Sequence, residues 1–226
     1  MIAVPTFANA VILAVSYIII LTNKFIQEKN IKKLIIMYGS IIIIGVLAII
    51  CIITSPHSFK RIIVSFNPEL DPTGSGWVGM LQKEVLDNTK LIGEAETEIL
   101  SDKDNYVINT ESEYTFIYLL GKTGILVTGL LVITIILMSI KLIINAKNIN
   151  EQYGKFLIIG LSTLFILQSF ANVLMNLNMW IQSNVNLPFV TYGETSFIIN
   201  TINIAIILSI YRRKDIYQYE IKNKII

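Results

Sequence analysis

The sequence predicts an all-α membrane protein, a polytopic helix bundle of about five transmembrane helices with one large extracytoplasmic loop. Of its 226 residues, 54% are hydrophobic and only 15% are charged, whereas a soluble domain has about a quarter charged residues. The charged residues leave long gaps, and a bilayer-spanning helix needs about 20 apolar residues in a row. Lys and Arg residues cluster in short connections and at the C-terminus, a pattern typical of cytoplasmic loops.

Five charge-poor segments define the predicted helices. They cover residues 5–23, 34–54, 114–140, 156–179 and 190–211. The first could be a signal peptide, but its small residues precede the apolar run, which favours a membrane span. The second is the most apolar, with thirteen Leu, Ile or Val residues. The last two share a long stretch with few charges, which we expect to break at Leu187-Pro188 because proline lacks a backbone donor.

The charges also predict the orientation in the membrane. Twelve of the 18 basic residues, with four acids, lie in the connections near residues 23–33 and 141–155 and in the C-terminal tail. The loop 55–113 instead carries five basic and eleven acidic residues. The positive-inside rule therefore places the C-terminus in the cytoplasm and this loop outside, and five helices then put the N-terminus outside. Because that is unusual without a leader, we expect a preceding segment to be missing.

The net charge of +2 is thus the difference between two oppositely charged surfaces. A nucleic-acid-binding domain would need a strong basic excess, so we expect no nucleic-acid partner. A single Cys51 and a single His57 leave no plausible metal cluster, and we interpret both as structural. We predict no metal site and no cofactor, with a divalent cation left open.

The loop 55–113 has three parts. Turn-forming residues are dense from 65 to 76. Apolar residues then recur at helical spacing, which predicts an amphipathic helix lying either on the outer membrane surface or on the helical bundle. They are Trp77, Met80, Leu81 and Val85. The third part, residues 93–109, is acidic, and we expect it to be mobile.

Polar side chains inside the predicted helices are candidates for function. Gln168, Asn172 and Asn176 fall at positions i, i+4 and i+8, so their amides share one helix face. Hydrogen bonding between helices is the favoured explanation, and a polar groove for a lipid-linked substrate is the alternative. Two carboxylates, Glu113 and Glu194, lie at membrane entrances. Each is either a functional acid or an acid at the water interface, where Glu113 would also complement a helix N-terminus.

Three stretches resemble the SEDS family of bacterial membrane proteins (FtsW/RodA/SpoVE), which act in division, elongation and sporulation. Residues 168–172 resemble the family's Gln-x-Phe-x-Asn pattern, and residues 187–196 resemble its Leu-Pro-Phe-x-Ser-Tyr-Gly-Gly-Ser-Ser pattern. Residues 112–116 resemble its Thr-Asp-Phe-x-Phe pattern, with Glu113 in place of the Asp. Glu194 replaces the second Gly. The match extends over the whole chain but corresponds to the C-terminal half of a family with about ten helices, which accounts for an outside N-terminus.

The resemblance implies synthesis of peptidoglycan chains from lipid II, usually with a class B penicillin-binding protein as partner. It implies that Glu113 is the catalytic base. Candidate substrate-binding residues are Arg61, Lys83 and Lys90, chosen from charge and loop position, together with Gln168, Asn172, Glu194 and Ser196. Two alternatives stay open: a non-catalytic component that binds or flips a lipid-linked precursor, and a structural partner of the division or elongation machinery.

Overall fold

The computed structural model describes residues 3–54, 56–97, 112–149 and 151–224. These residues form α-helices joined by turns and irregular segments, and no strand occurs in the described ranges, which confirms the all-α prediction. The helices are α1 (Ala3–Gln27), α2 (Ile31–Thr54), α3 (Pro56–Phe66), α4 (Trp77–Asn88), α5 (Thr115–Thr123), α6 (Ile125–Lys147), α7 (Gln152–Asn176) and α8 (Glu194–Lys224), with a 3₁₀ turn at Pro68–Leu70.

Four helical segments in the described part of the chain are long and apolar enough to cross a membrane. They are Ala8–Gln27, Ile125–Lys147, Gln152–Asn176 and Glu194–Arg213. Their outward-facing side chains are apolar; Leu130 and Leu137 of α6, for example, are 64% and 57% exposed. Such a surface is suited to lipid and not to water. Helix α2 has the length of a span, about 36 Å, but crossing of the membrane by residues 34–54 stays a prediction.

The structure divides the helix predicted at 114–140 into α5 and α6. Gly124 separates them with φ +87° and ψ 177°, a conformation open almost exclusively to glycine. A segment of the long loop packs against this break. Ile125 N donates to Lys90 O and Leu126 N donates to Leu91 O, both at 3.1 Å. These carbonyls satisfy N–H groups that would otherwise lack partners at the start of α6.

Helix α4 lies on the protein, which decides between the two positions that the sequence left open for it. Val85 is fully buried and packs with Ile117 and Leu120 of α5. By contrast, the apolar side chains of Phe59 and Phe66 on α3 are about half exposed. The apolar face of α4 is thus covered by the neighbouring helix.

The membrane part of the bundle has its core between α6, α7 and α8. Buried side chains from these helices and from the α6–α7 connection pack there: Leu142, Ala146, Ile149, Ile158, Phe165 and Ile207. Helix α1 packs along the length of α7, with Ile20 close against Gly160. A small residue at this position lets two membrane helices approach closely. Helix α7 ends at Asn176, before Leu187-Pro188, and an irregular connection, residues 177–193, leads to α8.

The long connections meet at one end of the bundle, which we call the loop end. Asn9 near the start of α1 donates to Asn184 O at 3.1 Å, and Asn178 donates to Gly79 O of α4 at 2.9 Å. The Lys-rich connections α1–α2 and α6–α7 lie at the opposite end, one membrane helix away. The two groups of connections at opposite ends of the bundle are therefore the same two groups that the sequence separates by charge.

Candidate active site at the loop end

Glu113 lies in the turn that leads into α5, and its side chain is buried, with 7% of the residue exposed. Ser112 Oγ donates to Glu113 Oε2 at 2.6 Å. Thr115 Oγ1 donates to Ser112 O at 2.8 Å, a local bond of the kind that Ser and Thr form at helix starts. The carboxylate therefore has a defined position at the N-terminus of α5, where the helix dipole favours negative charge.

The amide face predicted on α7 contacts this turn. Asn172 Nδ2 donates to Glu113 O at 2.9 Å and to Val185 O at 2.6 Å. Asn176 Nδ2 donates to the same Glu113 O at 3.0 Å. One turn earlier, Gln168 Nε2 donates to Asn186 O at 3.1 Å. The face thus bonds main-chain carbonyls of two connections, and this favours the interpretation that its amides hold elements of the bundle together.

Arg61 and Tyr114 extend the site. Burial raises the pKa of the Tyr114 phenol to about 12; the negative charge of Glu113 adds to the rise and the positive charge of Arg61 opposes it. The phenol therefore stays protonated at neutral pH and can act as a hydrogen-bond donor. Since both charges act on this phenol, α3 places Arg61 on the same side of the loop end as Glu113.

Arg61 differs from its basic neighbours, because it forms no ion pair within the described ranges. Lys60 pairs with Asp71 at 3.0 Å, and Lys90 pairs with Glu96 at 3.0 Å. The guanidinium of Arg61 is exposed and open to an external anion.

Lys83 is also paired within the loop. It forms an ion pair with Glu69, and this hydrogen bond raises the pKa of Lys83 and lowers that of Glu69. No contact in the described residues joins Lys83 or Lys90 to Glu113. The structure therefore brings Glu113, Asn172 and Arg61 to one region, and places the two lysines in ion pairs of their own.

Glu194 and Ser196 begin α8. Glu194 is exposed in the first turn, where a carboxylate complements the helix N-terminus. Ser196 is bonded within α8, by Asn200 Nδ2 to Ser196 O at 2.9 Å. Phe197 packs edge-on against Phe189 of the connection, with ring centroids 6.0 Å apart. No described contact joins this helix start to Glu113.

An apolar cavity of about 420 Å³ lies between α5, α6, α7 and the connection 177–193. Leu119, Met138, Phe165 and Phe189 are among its lining residues, and Glu113 does not line it. The cavity is therefore separate from the carboxylate and offers contacts to apolar groups.

A second polar cluster of the loop end was not evident from the sequence. The buried Gln82 of α4 accepts from Gln182 Nε2 at 2.7 Å, and the same amide donates to Asn178 Oδ1 at 3.2 Å. These partners lie up to 100 positions apart, so spacing carries no signal for them. Asn176, in contrast, could have been added to the candidate site from its i+8 spacing to Gln168.

Some of the residues named in the sequence analysis lie outside the described part of the chain. The side chains of Cys51 and His57 lie outside the described part, and so does most of the acidic segment 93–109, from residue 98 onward. Among the described residues, no group of three or more His, Cys, Asp or Glu side chains could hold a metal ion.

Comparison with known proteins establishes the family. The profile of the FTSW_RODA_SPOVE family, described as a cell cycle protein, matches residues 1–216. This chain belongs to the FtsW/RodA/SpoVE family. Together with the apolar spans, membership makes it a multi-pass membrane protein.

Relatives of this FtsW/RodA/SpoVE chain carry the name "probable peptidoglycan glycosyltransferase FtsW". The Nitrosomonas europaea protein is 27% identical over 211 residues, which are 91% of this chain and 52% of the relative. The Enterococcus hirae protein is 27% identical over 168 residues, 74% of this chain and 41% of the relative. The Trichlorobacter lovleyi protein is 28% identical over 182 residues, 79% and 46%. The chain thus spans about half the length of these curated relatives.

A solved structure shares the fold. One chain of a peptidoglycan synthase complex, whose structure concerns the coordination of polymerisation and crosslinking, superposes with a TM-score of 0.62 at 15% identity. The match covers 84% of this chain and 52% of the solved one. The FtsW/RodA/SpoVE chain therefore shares the fold of the matched part of that solved chain.

Proposed function

We propose that this chain carries the catalytic acid–base residue of a peptidoglycan glycosyltransferase that polymerises lipid II. The position of the Glu113 carboxylate at the loop end, where Ser112 Oγ donates to one of its oxygens, is the observation that supports this most. By resemblance Glu113 corresponds to the family's acidic residue, and Arg61, which forms no ion pair within the described ranges, lies on the same side. Relatives named peptidoglycan glycosyltransferases support the reaction class.

In the proposed reaction, the hydroxyl of an acceptor sugar attacks the anomeric carbon of a donor that is linked to a lipid pyrophosphate. Glu113 takes the proton of that hydroxyl as the new C–O bond forms. The bond between the anomeric carbon and the pyrophosphate breaks, and the lipid pyrophosphate leaves with the electron pair. Ser112 already donates to Oε2 of Glu113, which leaves Oε1 for the acceptor's proton.

Arg61 is the candidate partner of the leaving pyrophosphate. Its guanidinium is always charged and can bind two phosphate oxygens at once. The ion pairs of Lys83 and Lys90 would have to open before either lysine could bind phosphate. We therefore rank Arg61 above both lysines. A substrate role for Gln168, Glu194 and Ser196 stays a prediction.

The proposed orientation places the loop end outside the cytoplasmic membrane, with the Lys-rich connections and the C-terminus in the cytoplasm. A lipid-linked donor in the outer leaflet would then present its pyrophosphate near the start of the membrane-crossing helix α6. A class B penicillin-binding protein is the proposed partner, since crosslinking must follow polymerisation.

A second candidate function is binding of the lipid-linked precursor without catalysis. The low exposure of Glu113, 7%, is the observation that favours it, because a general base must reach its substrate. Replacement of the carboxylate by an amide separates the two functions: Glu113→Gln would abolish a proton transfer but keep binding.

The test is polymerisation of purified lipid II by the protein in membranes, with and without its penicillin-binding partner. We expect Glu113→Ala and Glu113→Gln to abolish polymerisation, and the activity of the wild-type protein to resist moenomycin. Glu28→Gln, a matched change at the opposite end of the bundle, serves as control. Activity that survives Glu113→Ala would remove Glu113 from the mechanism, and binding of lipid II without polymerisation by the wild type would favour the second candidate.

A further inference from the structure

We propose that Asn172 and Asn176 are positioning residues that set the place of the Glu113 carboxylate through its main-chain carbonyl. This inference rests on the proposed function, because it assigns these two amides to the geometry of the proton acceptor. The resemblance of residues 168–172 to a family motif suggested instead that Asn172 binds substrate. The structure supplies a different partner for its amide.

Both amides donate to one oxygen atom. The distances from Asn172 Nδ2 and Asn176 Nδ2 to Glu113 O are 2.9 and 3.0 Å, and a carbonyl oxygen has two lone pairs to accept them. Both side chains are fully buried, so neither amide can reach a substrate outside the bundle. Two successive turns of α7 thus both bind the main-chain carbonyl of Glu113, the residue that carries the carboxylate.

Further bonds fix the orientation of each amide. Asn176 Oδ1 accepts from Ile117 N in the first turn of α5, at 3.4 Å. The second hydrogen of Asn176 Nδ2 points to Asn172, whose main-chain O lies at 2.9 Å and whose Oδ1 lies at 3.2 Å. Asn172 Nδ2 also donates to Val185 O at 2.6 Å. Rotation of either amide by 180° would place oxygen against a carbonyl oxygen. Asn176 therefore holds both the start of the turn and the first turn of α5.

The consequence for the reaction is geometric. The carboxylate of Glu113 moves with this turn, because Ser112 Oγ, one residue away, donates to its Oε2 at 2.6 Å. A shift of about 1 Å in a reacting group can lower the rate about a hundredfold. Without the two amides, the buried carbonyl lacks donors and the turn must move to find others. We therefore expect loss of either amide to act on the chemical step and to leave substrate binding largely unchanged.

The variants Asn172→Leu and Asn176→Leu test this, because leucine has a similar size but no donor. The control is Asn178→Gly, which removes an amide bonded to Gly79 O, also at the loop end, and glycine suits the positive φ of residue 178. Hydrogen–deuterium exchange of the peptide 112–118 measures the turn without any need for activity. We expect exchange in this peptide to rise at least about tenfold in both leucine variants and to stay unchanged in the control.

Steady-state polymerisation of lipid II is the second readout. We expect kcat to fall roughly tenfold to a hundredfold in Asn172→Leu and Asn176→Leu, with KM nearly unchanged, and both constants to be kept in Asn178→Gly. If a leucine variant fails to accumulate, Asn176→Ser replaces it, since serine is too short to reach Glu113 O.

The outcomes are distinguishable. Unchanged exchange in peptide 112–118 would overturn the inference, and so would faster exchange with wild-type kcat. A rise in KM at constant kcat would overturn the inference and favour a role in substrate binding, as the sequence analysis gave for Asn172. An inactive wild-type protein would refute the proposed function, while the exchange data would still decide whether the two amides hold the Glu113 turn.

Discussion

Gly124 gives the sharpest stability prediction, because alanine at this position meets two separate obstacles. Its φ of +87° is rarely open to residues with a side chain. A Cβ atom there would lie 2.8 Å from both Lys90 O and Leu91 O. These two carbonyls accept the hydrogen bonds that start α6. Gly124→Ala therefore strains the backbone and also displaces the loop segment that covers the helix start.

The magnitude follows from these two terms. The backbone conformation costs an L-residue about 1–3 kcal/mol. Weakening of the bonds from Ile125 N and Leu126 N costs about 0.5–1.5 kcal/mol each. The lower entropy of the unfolded alanine chain offsets about 0.4–1 kcal/mol. The net loss is about 1–5 kcal/mol, which corresponds to a fall in Tm of roughly 2 to 20 °C for a chain of this size.

Thermal unfolding of the purified chain in detergent, followed by tryptophan fluorescence, measures this loss. Trp77 is a suitable reporter because it begins α4, which packs on α5. Gly129→Ala is the matched control: Gly129 lies within α6, a Cβ there meets nothing within 4 Å, and alanine improves helix propensity by up to about 1 kcal/mol. Equal Tm values for Gly124→Ala and Gly129→Ala would refute the reasoning.

Three further predictions concern the loop end. Arg61→Gln should raise the KM for lipid II about 10- to 100-fold, which corresponds to the loss of one charge-assisted hydrogen bond of about 1.5–3 kcal/mol. The control Lys60→Gln should leave KM unchanged. Equal effects of the two substitutions on KM would argue against a phosphate contact of Arg61. The raised pKa of Tyr114 means that the folded state keeps a phenol proton that the unfolded state loses above pH 10. The contribution of this proton to the free energy of unfolding, about 3 kcal/mol, is complete below pH 10 and lost by pH 12. Tyr114→Phe should therefore remove this part of the pH dependence of Tm. Gln182→Leu should cost about 1–3 kcal/mol because the buried Gln82 Oε1 loses the donor Gln182 Nε2. The double change with Gln82→Leu should cost less than the sum of the single changes in a double-mutant cycle of Tm values.

The helices could be predicted from the sequence because a bilayer-spanning helix needs a long uncharged segment, and such a segment is visible in consecutive residues. The break at Gly124 could not, since the apolar pattern continues through it. The break depends on Lys90 and Leu91, more than thirty residues upstream, which occupy the start of α6. A contact between distant segments leaves no periodic signal.

The candidate site shows the same limit. The 3.6-residue period placed Gln168, Asn172 and Asn176 on one face. Their hydrogen-bond partners could not be predicted from the sequence, because Glu113 lies 59 positions before Asn172. The acceptor is moreover a main-chain carbonyl, which every residue type has. The ion pair between Lys83 and Glu69 was likewise hidden, so the sequence offered Lys83 as a phosphate partner on the same terms as Arg61.

The choice of a main-chain carbonyl as the partner of Asn172 and Asn176 has a consequence for the acid itself. Every residue at position 113 offers the same carbonyl, so the two amides hold the turn equally well for Asp and for Glu. The exchange of the family's Asp for Glu113 therefore alters the reach of the carboxylate by one methylene and leaves its anchor unchanged. Membrane helices gain little from hydrophobic association, and polar side chains that form hydrogen bonds across helices help to hold them together instead. An anchor that does not depend on the side chain at position 113 would allow the proposed catalytic acid to vary while the surrounding bundle is kept.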